Sequence, residues 1–273
     1  MTPEIITIGA SDDPDAADAR MSLELWRTEA PSGRLAITAH GRNGAARAPH
    51  MQKLIDAYRA RGYVVVSPNC CASAWNDSAG AEGDFLLESH ARDVRRTVDW
   101  AIANASAAGW NGNHLALCGH SMGAYAAARL AANEYAGRIA HLLLVSPFTS
   151  GVRQIEAREK YHPDGIANLR RDVPRALDEW PRHDIFQVID RLTLPVAVFA
   201  GGKDIVAPPE NVDEFVARLP SPPLYHLLPE ASHCLEGGDY RSELLDAIDR
   251  LDAAVASIAP APCPDRHGGD VGI

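Results

Sequence analysis

The run His114-Leu115-Ala116-Leu117-Cys118-Gly119-His120-Ser121-Met122-Gly123-Ala124-Tyr125-Ala126-Ala127-Ala128 decides the reading of this chain. Five residues, 114–118, are mostly apolar and short enough for a buried strand. The small-residue run from Ala124 suits a close-packed helix. Between them, Gly119-His120-Ser121-Met122-Gly123 has a serine at its apex. A strand that turns directly into a helix strains its apex residue and leaves no room for side chains on either side. Glycines at 119 and 123 meet that demand. The turn pushes the Ser121 hydroxyl out above the sheet edge, at the positive end of the following helix. Taken alone, the motif also fits a serine that simply caps a helix.

Elsewhere the chain alternates strand-like and helix-like segments. Residues 34–39 and 63–67 read as short strands, as do 141–145, 195–200 and 224–228. Helical spacing runs through Met51, Leu54, Ile55 and Tyr58, and again over 88–107 and 240–258. Residues 20–29 alternate polar and apolar, as an antiparallel strand wet on one face would. The fold class is therefore α/β, with a mostly parallel, doubly wound sheet. Two segments break the rhythm. Residues 148–190 are too long and too helical for a simple connection, so they read as an inserted helical cap. Residues 259–273, rich in proline and glycine, read as a disordered tail. The expected organisation is a core of 1–147 and 191–258, a cap of 148–190 and a tail.

Composition narrows the functional classes. The 273 residues are 46% hydrophobic, enough for one large core, and carry a net charge of −10. That balance argues against nucleic acid and anionic membranes as partners. No apolar run has membrane-spanning length, and Met1-Thr2-Pro3-Glu4 does not begin a secretory signal, so a cytoplasmic location is expected. The five cysteines, Cys70, Cys71, Cys118, Cys234 and Cys263, show no zinc or redox spacing and read as free thiols. His40 has no companion ligands at metal spacing, so no metal and no cofactor is expected. Asp93 and Asp99 read as solvent-facing charges on a helix.

Two elements downstream give Ser121 its context. After the strand at 195–200 comes Gly201-Gly202-Lys203-Asp204. After the strand at 224–228 comes Pro229-Glu230-Ala231-Ser232-His233. A serine, then an acid, then a histidine each follow the carboxyl end of a strand, the edge where open α/β sheets bind ligands. A serine hydroxyl needs a base to become a nucleophile, and histidine supplies one near neutral pH. Glu230 is the rival to Asp204 for orienting that base.

With these motifs the chain resembles the α/β-hydrolase superfamily over residues 20–258. It is most similar to the capped branch that includes monoacylglycerol lipases, carboxylesterases and serine aminopeptidases. The resemblance rests on His40-Gly41-Arg42-Asn43-Gly44, the GHSMG turn, Gly201 to Asp204, and Ser232-His233. Residues 69–75 depart from the Arg-Gly-His-Gly-x-Ser loop that many relatives carry. The resemblance implies a catalytic triad of Ser121, His233 and Asp204. It also implies an oxyanion hole made by the backbone N–H groups of Met122 and Arg42. The expected activity is hydrolysis of a small or medium carboxylic ester. Thioester, amide or carbon–carbon hydrolysis and acyl transfer use the same triad and stay open, as does a non-catalytic binding role. Phe148 and Trp180 are the expected substrate-lining residues. The arginines of the cap, Arg153, Arg158, Arg170, Arg171, Arg175 and Arg182, read as a solvated helical surface rather than an acid-binding one. The partner is a small-molecule ester, and the oligomeric state stays open.

Overall fold

A computed structural model describes residues 2–258, so the expected tail lies outside the described residues. Eight strands form one sheet: β1 (Glu4–Ile8), β2 (Met21–Trp26), β3 (Leu35–Ala39), β4 (Val64–Asn69), β5 (Leu115–His120), β6 (His141–Val145), β7 (Val196–Gly201) and β8 (Leu224–Leu228). Their order is β1-β2-β4-β3-β5-β6-β7-β8. The pairs β1–β2 and β2–β4 are antiparallel, and every other pair is parallel. The expected α/β sheet is present.

Strands buried on both faces send alternate side chains into two separate cores. Leu115 and Leu117 of β5 point to one core, Ala116 and Cys118 to the other. Leu142 and Leu144 of β6 divide from Leu143 and Val145 in the same way. Helices α1 (Pro49–Ala60) and α9 (Arg241–Ile258) cover one face. On the first of these, Met51, Leu54, Ile55 and Tyr58 are buried, as their spacing predicts. Helices α2 (Leu87–Ala103) and α4 (Met122–Ala132) cover the other face, with the short α3 (Ala105–Ala108) after the first of them. The small residues of α4 let it lie close to the sheet. A methyl group on Gly123 would collide with the carbonyl oxygen of Ala39.

Two readings need correction. β2 is not wet on one face: Glu24 is buried, and Nε of Arg47 donates to both its carboxylate oxygens, at 2.9 and 3.1 Å. The cause is Arg47, from the segment before α1, which lies over the Glu24 carboxylate, while β1 pairs along the outer edge of β2. Asp93 is fully buried rather than solvent-facing. It accepts a hydrogen bond from Cys71 N–H at 2.8 Å and pairs with Arg96. Asp99 is exposed, as read, and accepts a hydrogen bond from the Tyr135 hydroxyl at 2.5 Å.

Between β6 and β7 the chain forms α5 (Gly151–Tyr161), α6 (Gly165–Asp172), α7 (Ala176–Glu179) and three short 3₁₀ turns. The two ends of this excursion are stitched together. Gly151 N–H donates to His183 O at 2.8 Å, Ile185 N–H donates to Thr149 O at 2.9 Å, and Ser150 bridges Asp184. The backbone of Gly151 is so close to Trp180 that a methyl group there would strike the Trp180 carbonyl. Helix α8 (Pro209–Arg218) links β7 to β8. Among the described residues no helix is long and apolar enough to cross a membrane.

Candidate active site

Ser121 stands between β5 and α4 with φ +55° and ψ −118°, a left-handed conformation that non-glycine residues rarely hold. Its backbone is fixed on both sides. Ser121 N–H donates to Val145 O at 2.9 Å, and Ser121 O accepts from Ala124, Tyr125 and Phe148 N–H at 3.0, 3.2 and 3.1 Å. The loop after β3 presses against it. A Cβ on Gly41 would lie 2.8 Å from the Cβ of Ser121, so only glycine lets the two segments meet.

Asp204 follows β7 and His233 follows β8, and the structure brings them together. His233 Nδ1–H donates to Asp204 Oδ2 at 2.8 Å. The other oxygen, Oδ1, accepts from the N–H groups of Val206 and Ala207, both at 2.8 Å. These bonds hold a carboxylate whose side chain has no exposed surface. The rival, Glu230, is exposed and pairs instead with Lys203. His120, next to Ser121, donates from Nε2 to the carbonyl of His233 at 2.9 Å. Its ring lies 4.6 Å from that of His233, and burial keeps it neutral, well below its ordinary pKa.

The amide N–H groups of Arg42 and Met122 donate to no acceptor among the described residues. Both belong to segments that touch Ser121. His40 shapes the first of them. Its Nδ1–H donates to Gly41 O at 2.7 Å, and its Nε2 accepts from Cys70 N–H at 3.0 Å. That pattern requires a neutral ring, and burial lowers the His40 pKa to about 4.

Phe148 and Trp180, expected to line a substrate pocket, are packed side chains, 3% and 1% exposed. Phe148 sits edge-on between Trp180 and Tyr125, with ring centroids 5.4 and 5.7 Å away. Their size and aromaticity suggested a pocket wall, but the same traits suit a core.

Two groups of side chains converge as metal ligands do. In one, single atoms of His50, His120 and Cys234 lie within 4.8 Å of one another; in the other, those of His114, His141 and Asp252 do. The second group is closed by Tyr58 and Tyr63, whose hydroxyls bond its histidines at 3.1 and 2.9 Å. The first group borders His233. Sequence spacing does not reveal either, because each is drawn from three separate elements. The four described cysteines are free thiols.

No protein-family model and no curated protein matches the chain. Solved structures do match its shape. Est1E from Butyrivibrio proteoclasticus, solved with ferulic acid bound, aligns with a TM-score of 0.72 at 17% identity, covering 91% of this chain and 99% of that one. The α/β hydrolase GrgF from a Penicillium species aligns with a TM-score of 0.73 at 16% identity, covering 94% and 100%. The Pyrococcus furiosus esterase Pf2001 aligns with a TM-score of 0.68 at 18% identity, covering 91% and 88%. With its sheet order, its serine turn and these likenesses together, the chain has the α/β-hydrolase fold.

Proposed function

We propose that this protein is a serine hydrolase that cleaves a carboxylic ester of a small or medium substrate. One observation carries the reading: the His233–Asp204 hydrogen bond joins the loops after β7 and β8, at the sheet edge where Ser121 projects after β5. The esterases among its structural neighbours agree with it.

In this reading His233 removes the Ser121 hydroxyl proton as the oxygen attacks the ester carbonyl carbon. The carbonyl oxygen takes up negative charge and accepts hydrogen bonds from the amides of Arg42 and Met122. His233 then gives its proton to the departing alcohol oxygen, and the carbon–oxygen bond of the ester breaks. An acyl group remains on Ser121. Water, deprotonated by the same histidine, attacks the acyl carbon; the bond from that carbon to the Ser121 oxygen breaks, His233 returns the proton to the serine oxygen, and the acid leaves. Asp204 stays ionised throughout, fixing the ring tautomer and stabilising the imidazolium. Residues 148–190 act as a cap over the acyl site, as the bond from Phe148 N–H to Ser121 O suggests. Thioester, amide and carbon–carbon cleavage use the same groups and are separated only by substrate.

The test is fluorophosphonate labelling with a panel of p-nitrophenyl esters, thioesters and anilides. Labelling confined to Ser121 and turnover of the esters is the expected result. Absence of labelling on the native protein overturns the reading. Turnover confined to thioesters or anilides keeps the triad and changes the reaction.

A further inference from the structure

A cavity of about 370 Å³ opens between the loop after β3 and the start of the helical excursion. Arg42 lines it from the loop side. Arg158, His162, Asn168, Arg171 and Asp172 line it from α5, α6 and the turn between them. Arg42 follows Gly41, which packs against Ser121, so the loop that lines the cavity is the loop that touches the candidate nucleophile.

Two of its guanidinium groups are incompletely paired. Arg42 Nη1 and Arg158 Nε are buried and have no hydrogen-bond partner. For Arg42, one neighbouring acid, Glu82, lies at 4.0 Å, beyond hydrogen-bond reach and already bonded to Asn43. Asp172 carries a charge that acts on both guanidiniums, and it accepts a hydrogen bond from Arg171 at 2.9 Å. Asp164 lies exposed at the rim. Arg158 is held in place by stacking over the Trp180 ring, 5.4 Å from its centroid. This is what the buried Trp180 supports: a cation rather than a substrate. Burial and the charge of Arg42 lower the Arg158 pKa to about 10, which leaves Arg158 cationic at neutral pH. Two like charges are thus held together with unused donors in a chain of net charge −10.

We propose that this cavity receives a carboxylate carried by the substrate, so that the preferred esters bear an acid group a few carbon atoms from the scissile carbonyl. The inference rests on Ser121 being the nucleophile. The planar fork of a guanidinium matches a carboxylate, and a bound carboxylate supplies the acceptors that the two groups lack. It also separates the mutual repulsion of Arg42 and Arg158. The position of Arg42 limits the length of the substrate. Its amide belongs at the scissile carbonyl while its guanidinium reaches the acid, so half-esters of short dicarboxylic acids fit.

The experiment compares p-nitrophenyl hemisuccinate and hemiglutarate with the neutral butyrate and valerate esters. For the native protein, kcat/KM should be about tenfold or more higher for the hemiesters, through KM, as one charge-assisted hydrogen bond supplies. Added salt should erode that preference, and free succinate should inhibit competitively. Arg158→Met should remove the preference and leave butyrate hydrolysis and Ser121 labelling within about threefold, whereas Arg158→Lys should retain part of it. Equal kcat/KM for charged and neutral esters in the native protein overturns the proposal, whether or not the variants fold. So does a preference that survives in Arg158→Met. If neither ester class is hydrolysed and Ser121 is not labelled, the hydrolase reading itself fails instead.

Discussion

His120 Nε2 donates to the carbonyl oxygen of His233 at 2.9 Å, so the residue before the serine holds the backbone of the candidate base. The two residues lie 113 positions apart in the chain, and this bond ties the end of β5 to the loop after β8. His120 is a positioning residue. Replacing it with Leu should lower kcat about tenfold with little change in KM, while Gln, which keeps a donor, should restore most of the rate. Equal kcat in both variants and the native protein would remove that role.

Asp204→Asn keeps the shape of the carboxylate but turns one oxygen into a donor. His233 Nδ1 then faces a partner that favours the wrong tautomer. The expected loss in kcat is about 10⁴-fold, with KM nearly unchanged. Steady-state kinetics on the butyrate ester check it, and Glu230→Gln serves as the control. An exposed residue paired with Lys203 should leave kcat where it was.

Trp180→Ala deletes a side chain that is 1% exposed. It should cost about 3–5 kcal/mol of stability, read as a shift in the urea midpoint. It also removes the support of Arg158. Selectivity for charged over neutral esters should therefore fall more than preference for acyl chain length. A stable variant with altered chain-length preference would return Trp180 to the pocket wall.

Stability should fall as the solution is acidified from pH 6.5 toward 4. Burial lowers the pKa of His40 to about 4 and of His141 to about 3, below the ordinary value of 6.5. The unfolded chain therefore takes up these protons first. Their contribution is complete above pH 6.5 and is lost as pH falls toward the folded values. Each costs about 1.4 kcal/mol per pH unit within that window. Urea midpoints at pH 7.5, 6.5, 5.5 and 4.5 measure the slope, and a flat profile would show that these rings take up protons equally in the folded and unfolded chain.

The chain discloses its parallel core through local pattern. The strands at β5, β6 and β8 and the buried face of α1 follow from apolar spacing alone. Ser121, Asp204 and His233 stand out because each ends a strand in a fixed order. The readings that missed depend on partners distant in sequence. Glu24 looks solvent-facing until β1 and Arg47 cover it. Asp93 looks like a surface charge until the loop at Cys71 folds onto it. Arg158 looks like six other cations until Trp180 and Arg42 confine it. Burial by a remote segment leaves no local trace in composition or period.

The stitched base of residues 148–190 bears on how reactants come and go. A door swings when its two backbone strands rotate at separate hinges. Here the Gly151–His183 and Thr149–Ile185 bonds fasten one strand to the other, and Gly151 leaves no slack against Trp180. The segment is a fixed porch rather than a door. Under the proposed function, a substrate that uses the Arg42–Arg158 cavity meets the charge of its opening between Arg42 and α6. Turnover should then begin without a lag and gain nothing from a lipid–water interface, because no surface waits to be uncovered.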